Sequence, residues 1–162
     1  MYIPFHQLSG EAHVWVYQAS RPFGQEEKAA VLQKAQEFLG QWASHGLPLQ
    51  CSAEILYDQF LILAVDETLQ SATGCAVDAS VKFIRTLEQA FQVDLLSRTH
   101  VAFRQGEDNF LVPLSQLEDS IRQGAISEDM LTFDNTITKK TEIVDKWLVR
   151  AGESWFGRYF RK

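Results

Sequence analysis

The chain has 162 residues, 46% of them hydrophobic and 22% charged, with a formal net charge of −6. That length buries a full hydrophobic core, and the composition excludes a disordered chain. The negative balance argues against broad nucleic-acid binding, and two cysteines are too few for a disulfide-stapled secreted scaffold. No apolar run reaches the ~20 residues of a membrane-spanning helix. Met1–His13 has neither a basic nor an apolar leader region, so a cytoplasmic protein with reduced thiols is expected.

In chain order, His13–Gln18 is rich in Val, Trp and Tyr and predicts a strand, closed by the turn Ser20-Arg21-Pro22-Phe23-Gly24. From Gln25 to Ser44, Val31, Leu32, Ala35, Phe38, Leu39 and Trp42 recur at helical spacing, and His45-Gly46 ends the helix. Gln50–Tyr57 predicts a strand with Cys51, Ala53, Ile55 and Tyr57 on one face, and Asp58-Gln59 links it to Phe60–Asp66. The run FLILAVD has no polar alternation and predicts a strand buried on both faces.

Gly74–Phe91 carries Val77, Val81, Ile84, Leu87 and Phe91 at helical spacing. Thr99–Arg104 and Asn109–Leu114 form a second hairpin, and Ser115–Glu118 has the form of a capping box. Ser127–Thr138 has no decisive pattern. Ile143, Val144, Trp147, Leu148 and Ala151 predict a last helix from about Lys139 to Ala151, followed by the aromatic-basic ESWFGRYFRK. Residues 139–162 hold seven Lys or Arg against three Asp or Glu, whereas residues 1–138 hold eight against eighteen. Such asymmetry suits a tail docked on an acidic body or one that meets an anionic partner.

The first six elements run β-α-β-β-α-β, the order of a ferredoxin-like split βαβ fold. The expected architecture is one α+β domain, residues 1–162, with the first and third strands at the sheet centre. The C-terminal hairpin and helices are expected to cover the sheet's second face. Pairing Tyr57 with Phe60 would set Cys51 opposite Asp66. His45, Cys51, Asp66, Glu67, Cys75 and Asp78 would then converge at one end of the sheet.

Thr73-Gly74-Cys75 entering a helix puts a thiol near unpaired backbone N–H groups, which favour a thiolate. Cys75 would be the nucleophile of a thiol enzyme or redox protein, with Cys51 as resolving thiol and Asp78 beside them. Asp78 opposes the thiolate, and if Asp78 were the N-cap, Cys75 would fall outside the helix start. The plainer reading is a small residue packing a loop–helix junction. His45, Cys51, Cys75 and Asp78 have ligand types that zinc accepts but lack C-x-x-C or H-x-x-x-H spacing. Ser71–Gly74 could offer N–H groups to phosphate, yet no G-x-x-x-x-G-K-[ST] loop exists and nearby acidic residues repel phosphate.

A hydrolase triad lacks its G-x-S-x-G elbow, a dinucleotide fingerprint is absent, and no basic-glycine-aromatic run supports RNA binding by Trp15, Tyr17 or Phe103. No cofactor is therefore expected. Trp155, Phe156, Arg158, Tyr159 and Phe160 form an amphipathic turn suited to a partner surface, or to packing on the chain's own core.

Trp15–Gln18 with Ser20–Phe23, then Asp66-Glu67, Thr73–Cys75 and Val77–Val81, resemble an uncharacterised bacterial family often labelled "ABC transporter ATPase". The resemblance runs along nearly the whole chain and implies no catalytic residues. Its label implies nucleotide hydrolysis, but neither a Walker A loop nor an L-S-G-G-Q signature is present. The leading expectation is a non-catalytic binding or interaction protein, joined to a protein partner or to itself. The alternative is the Cys75-dependent enzyme.

Overall fold

The computed structural model describes every residue except 45, 69 and 162. It is a mixed α+β structure whose paired strands are antiparallel, with four α-helices among the described residues. The elements are β1 (His13–Gln18), α1 (Gln25–Gln41), β2 (Ala43–Ser44), β3 (Leu47–Pro48), β4 (Gln50–Leu56), β5 (Phe60–Asp66) and α2 (Gly74–Phe91). There follow β6 (His100–Gln105), β7 (Asp108–Pro113), α3 (Leu114–Arg122), β8 (Leu131–Phe133), α4 (Glu142–Asp145) and β9 (Leu148–Arg150). The chain divides into two compact units: Met1–Leu96 with Thr138–Thr141, and Ser97–Ile137 with Glu142–Lys162.

In the first unit β1, β5 and β4 form a sheet in that order, both pairs antiparallel. The third strand of the expected series is central because its first six residues, FLILAV, are all apolar. Phe60 to Val65 are all fully buried. Cys51, Ala53, Ile55, Leu61, Leu63 and Val65 share a core with Val31, Ala35 and Leu39 of α1 and Ile84 and Leu87 of α2. The α1 helix stops at Gln41, short of the expected Ser44. Trp42 takes extended geometry as its cap and turns its indole N–H to the Ala76 carbonyl at 2.9 Å.

Two expectations need correction here. Leu56, not Tyr57, pairs with Phe60, so Cys51 lies opposite Val65 and Asp66 lies opposite Gln50. The cause is the turn. Tyr57 and Asp58 both take positive φ (53° and 58°), and Gln59 is an extra residue whose carbonyl and amide bond Ala19. A one-residue shift puts Asp66 and Cys51 on opposite faces of the sheet.

The strand expected to be fourth, His100–Gln105, is not in this sheet at all. The outer edge of β1 is instead paired antiparallel by Thr138–Thr141, His13 facing Lys139. The outer edge of β4 pairs with Met1–Ile3 in parallel, Ile3 N–H donating to the Cys51 carbonyl at 2.8 Å.

The second unit is a four-stranded sheet ordered β7-β6-β8-β9, over which Phe103, Leu117, Ile121, Ile126, Ala151 and Phe156 form a core. The expected helix over Lys139–Ala151 is absent. Glu142–Asp145 makes one helical turn, and Leu148–Arg150 pairs with Leu131–Phe133 as a strand. A short Val-Leu-rich run satisfies either period, and pairing with β8 decides this one. Val144, expected to face inward, is 91% exposed.

Candidate functional site

Thr73 has extended geometry, and its side-chain oxygen accepts the Ala76 N–H at 3.3 Å, so Thr73 is the N-cap of α2. Cys75 is therefore the second helical residue, and its thiol is exposed. Asp78 lies one turn further on and is also exposed. It is not the cap. Neither Cys75 nor Asp78 has a hydrogen-bond or ion-pair partner among the described residues.

The acidic pair before this helix is spent on building the loop. One oxygen of Asp66 accepts from the Thr68 N–H and hydroxyl, at 3.0 and 2.7 Å. The Glu67 carboxylate lies 3.0 Å from His13 Nδ1 and accepts the Ala72 N–H at 3.1 Å through its other oxygen. His13 stacks on Trp15 with ring centroids 4.1 Å apart. These bonds tie Thr68 to Asp66 and Ala72 to Glu67.

Cys51 does not join that surface. It is fully buried, and its thiol lies 3.4 Å from the Leu39 carbonyl within the core of β4 and α1. Burial pushes the Cys51 thiol up from its ordinary pKa. A protonated thiol inside the core serves packing and does not resolve a surface disulfide. Both cysteines are free. No group of three or more His, Cys, Asp and Glu residues among the described residues could hold a metal ion, and His45 lies outside them.

At the end of this unit where β4 turns into β5, Arg21 donates two hydrogen bonds to the Glu27 carboxylate, at 2.9 and 2.8 Å, and a third to the Phe91 carbonyl at 2.7 Å. The same carboxylate accepts the Gly24 N–H at 2.9 Å. The Arg21 hydrogen bond, then the Gly24 N–H, hold the Glu27 carboxyl down to about 2. A shallow groove there is lined by Ser20, Glu88, Gln92 and Asp94 and brings together no nucleophile.

In the second unit the aromatic-basic tail is divided between core and surface. Phe156 is 1% exposed and stands in the core, against which Tyr159 and Phe160 also pack. Gly157 permits this, since a Cβ there would lie 2.2 Å from the Gly152 carbonyl oxygen. Trp155 is 61% exposed, its ring set edge-on to Phe156 at 5.3 Å. Arg158 is exposed and lies over the Tyr159 ring at 5.2 Å.

The pairing of His13 with Glu67 had no counterpart in the sequence reading. Its one available signal was that β1 lies beside β5, which brings His13 within reach of the residues following Asp66. No helix among the described residues is long and apolar enough to cross a membrane. No protein-family model, no curated protein and no solved structure matches the chain.

Proposed function

We infer that the chain is a non-catalytic interaction protein, of the uncharacterised bacterial family it resembles, whose contact surface is centred on Trp155 and Arg158. Its first unit is read as a ferredoxin-like split βαβ fold in which Thr138–Thr141 takes the place of the fourth strand. The observation that carries the functional reading is the exposure of Trp155 beside a buried anchor. A tryptophan with 61% of its surface open to water, braced edge-on by a core phenylalanine, is a rigid apolar contact already ordered before binding. Arg158 beside it adds a cation, and the partner surface that fits is an acidic one with an apolar pocket.

Photo-crosslinking tests this. A benzoylphenylalanine in place of Trp155 should give one reproducible protein adduct in the cells the chain comes from. The same replacement at Val144, which is 91% exposed, serves as control. Identical adducts at both positions would defeat the assignment.

One observation favours a second reading. Cys75 stands exposed in the first turn of α2, whose N-cap is Thr73. A thiol-dependent activity would then use Cys75 alone, since Cys51 is fully buried.

A further inference from the structure

The pairing of β1 with Thr138–Thr141 is specific well beyond a chance bridge. The Val14 N–H donates to the Thr138 carbonyl at 2.9 Å, the Lys140 N–H to Ala12 at 2.9 Å, and the Thr141 N–H to Gly10 at 3.0 Å. Lys140 extends its ammonium to the carbonyls of Phe5 and Leu8, at 2.6 and 2.7 Å, over the face of the Phe5 ring. Lys139 reaches Glu11 at 3.0 Å. Thr141 fits closely against Gly10, where a Cβ would stand 2.7 Å from the Thr141 methyl. Phe5–Val14 thus contacts the side chains of Lys139, Lys140 and Thr141 and the backbone of Thr138.

The segment it contacts is not continuous with the unit it completes. Ile137 before it and Glu142 after it both belong to the second unit, and 41 residues separate Leu96 from Thr138. A short segment that meets a sheet edge through a single bridge is among those that open most readily. No stretch of chain inside the first unit requires that the strand come from the same molecule.

We propose that the outer edge of β1 is a strand-acceptor site with a lysine-reading pocket, and that Thr138–Thr141 of a second copy fills it, so that the chain self-associates by strand exchange. The partner is this chain itself because Phe5–Val14 is fitted to this sequence. Exchange of an identical element keeps every contact and adds no new one, which makes it a low-cost route to dimers. Lys140 is the positioning residue. This site is separate from the Trp155 surface, and either can fail without the other.

The test uses the full chain with Cys75→Ser as background. His13 and Lys139 form a non-hydrogen-bonded antiparallel pair, a geometry with Cα atoms about 4.5 Å apart that a disulfide can span. Chains carrying His13→Cys are mixed with chains carrying Lys139→Cys, refolded together and oxidised with oxidised glutathione. A disulfide-linked heterodimer joined through positions 13 and 139 is expected, its yield rising with protein concentration. Adding Lys140→Met to the second chain should cut that yield about tenfold or more. A control chain carrying Val144→Cys sets the background. Heterodimer no more abundant than this background overturns the proposal, provided that the double variant His13→Cys/Lys139→Cys closes its own disulfide. If the double variant fails to close, the pairing itself is refuted.

Discussion

The first unit builds its two long helices from opposite ends of one sheet, and the two helix entries are treated differently. At the start of α1 Arg21, Glu27 and Lys28 are committed, and Glu26 alone of the first-turn acids stays exposed. Arg21 is shared between Glu27 and Phe91, Glu27 returns to Gly24, and Lys28 reaches Asp58 at 2.5 Å. At the start of α2 the cap is a neutral threonine, and the residue after next is an exposed thiol without a partner. The comparison separates two kinds of conspicuous motif. The Ser-Arg-Pro-Phe turn stands out in the sequence because it ties a corner. The Thr-Gly-Cys entry leaves its thiol exposed.

Removing the corner should have the largest effect. Arg21→Ala leaves Glu27 without its bidentate partner and the Phe91 carbonyl without its donor. For this half-exposed arginine we expect a loss of about 1 to 2 kcal/mol in urea unfolding. Removing the other entry's cap, Thr73→Ala, should cost about 1 kcal/mol and fray the first turn of α2. Amide exchange at Ala76 would show that fraying directly.

A smaller, pH-dependent difference sharpens the same contrast. Because the Glu27 carboxyl is held at about 2 in the folded chain against an ordinary 4.5, it binds its proton less readily folded than unfolded. Its contribution is complete above about pH 4.5 and is lost as pH falls toward 2. Glu27→Gln should therefore flatten the acid limb of the stability profile in that window. An unchanged limb would show that solvent screening erases the pair. The smallest effect belongs to Cys75→Ser, which removes an exposed, unbonded side chain and should move stability by less than about 0.5 kcal/mol.

The core strand and the two long helices were legible in the sequence because their apolar residues repeat with one period over many positions. The register of the β4–β5 hairpin was not. It rests on two non-glycine residues at positive φ and one inserted glutamine, which no hydrophobic pattern encodes. The same limit hid the bridge at Thr138–Thr141, where one helix-compatible lysine, Lys140, is held by the carbonyls of Phe5 and Leu8 and the other, Lys139, by Glu11. Of the candidate site, the helix entry at Cys75 was readable from Thr-Gly-Cys. Burial of Cys51 followed from its place on the core face of β4, and the burial of Phe156 depended on which side of a short turn met the core of Phe103 and Leu117.

A non-catalytic interaction protein, as proposed, makes no use of the exposed Cys75 thiol as a nucleophile. The rate of Cys75 alkylation by iodoacetamide at neutral pH, compared with that of a free cysteine peptide, tests it most directly. An interaction protein predicts a rate within a few-fold of the peptide's, with alkylation leaving the Trp155 crosslink intact. A Cys75 reacting a hundredfold faster would contradict it.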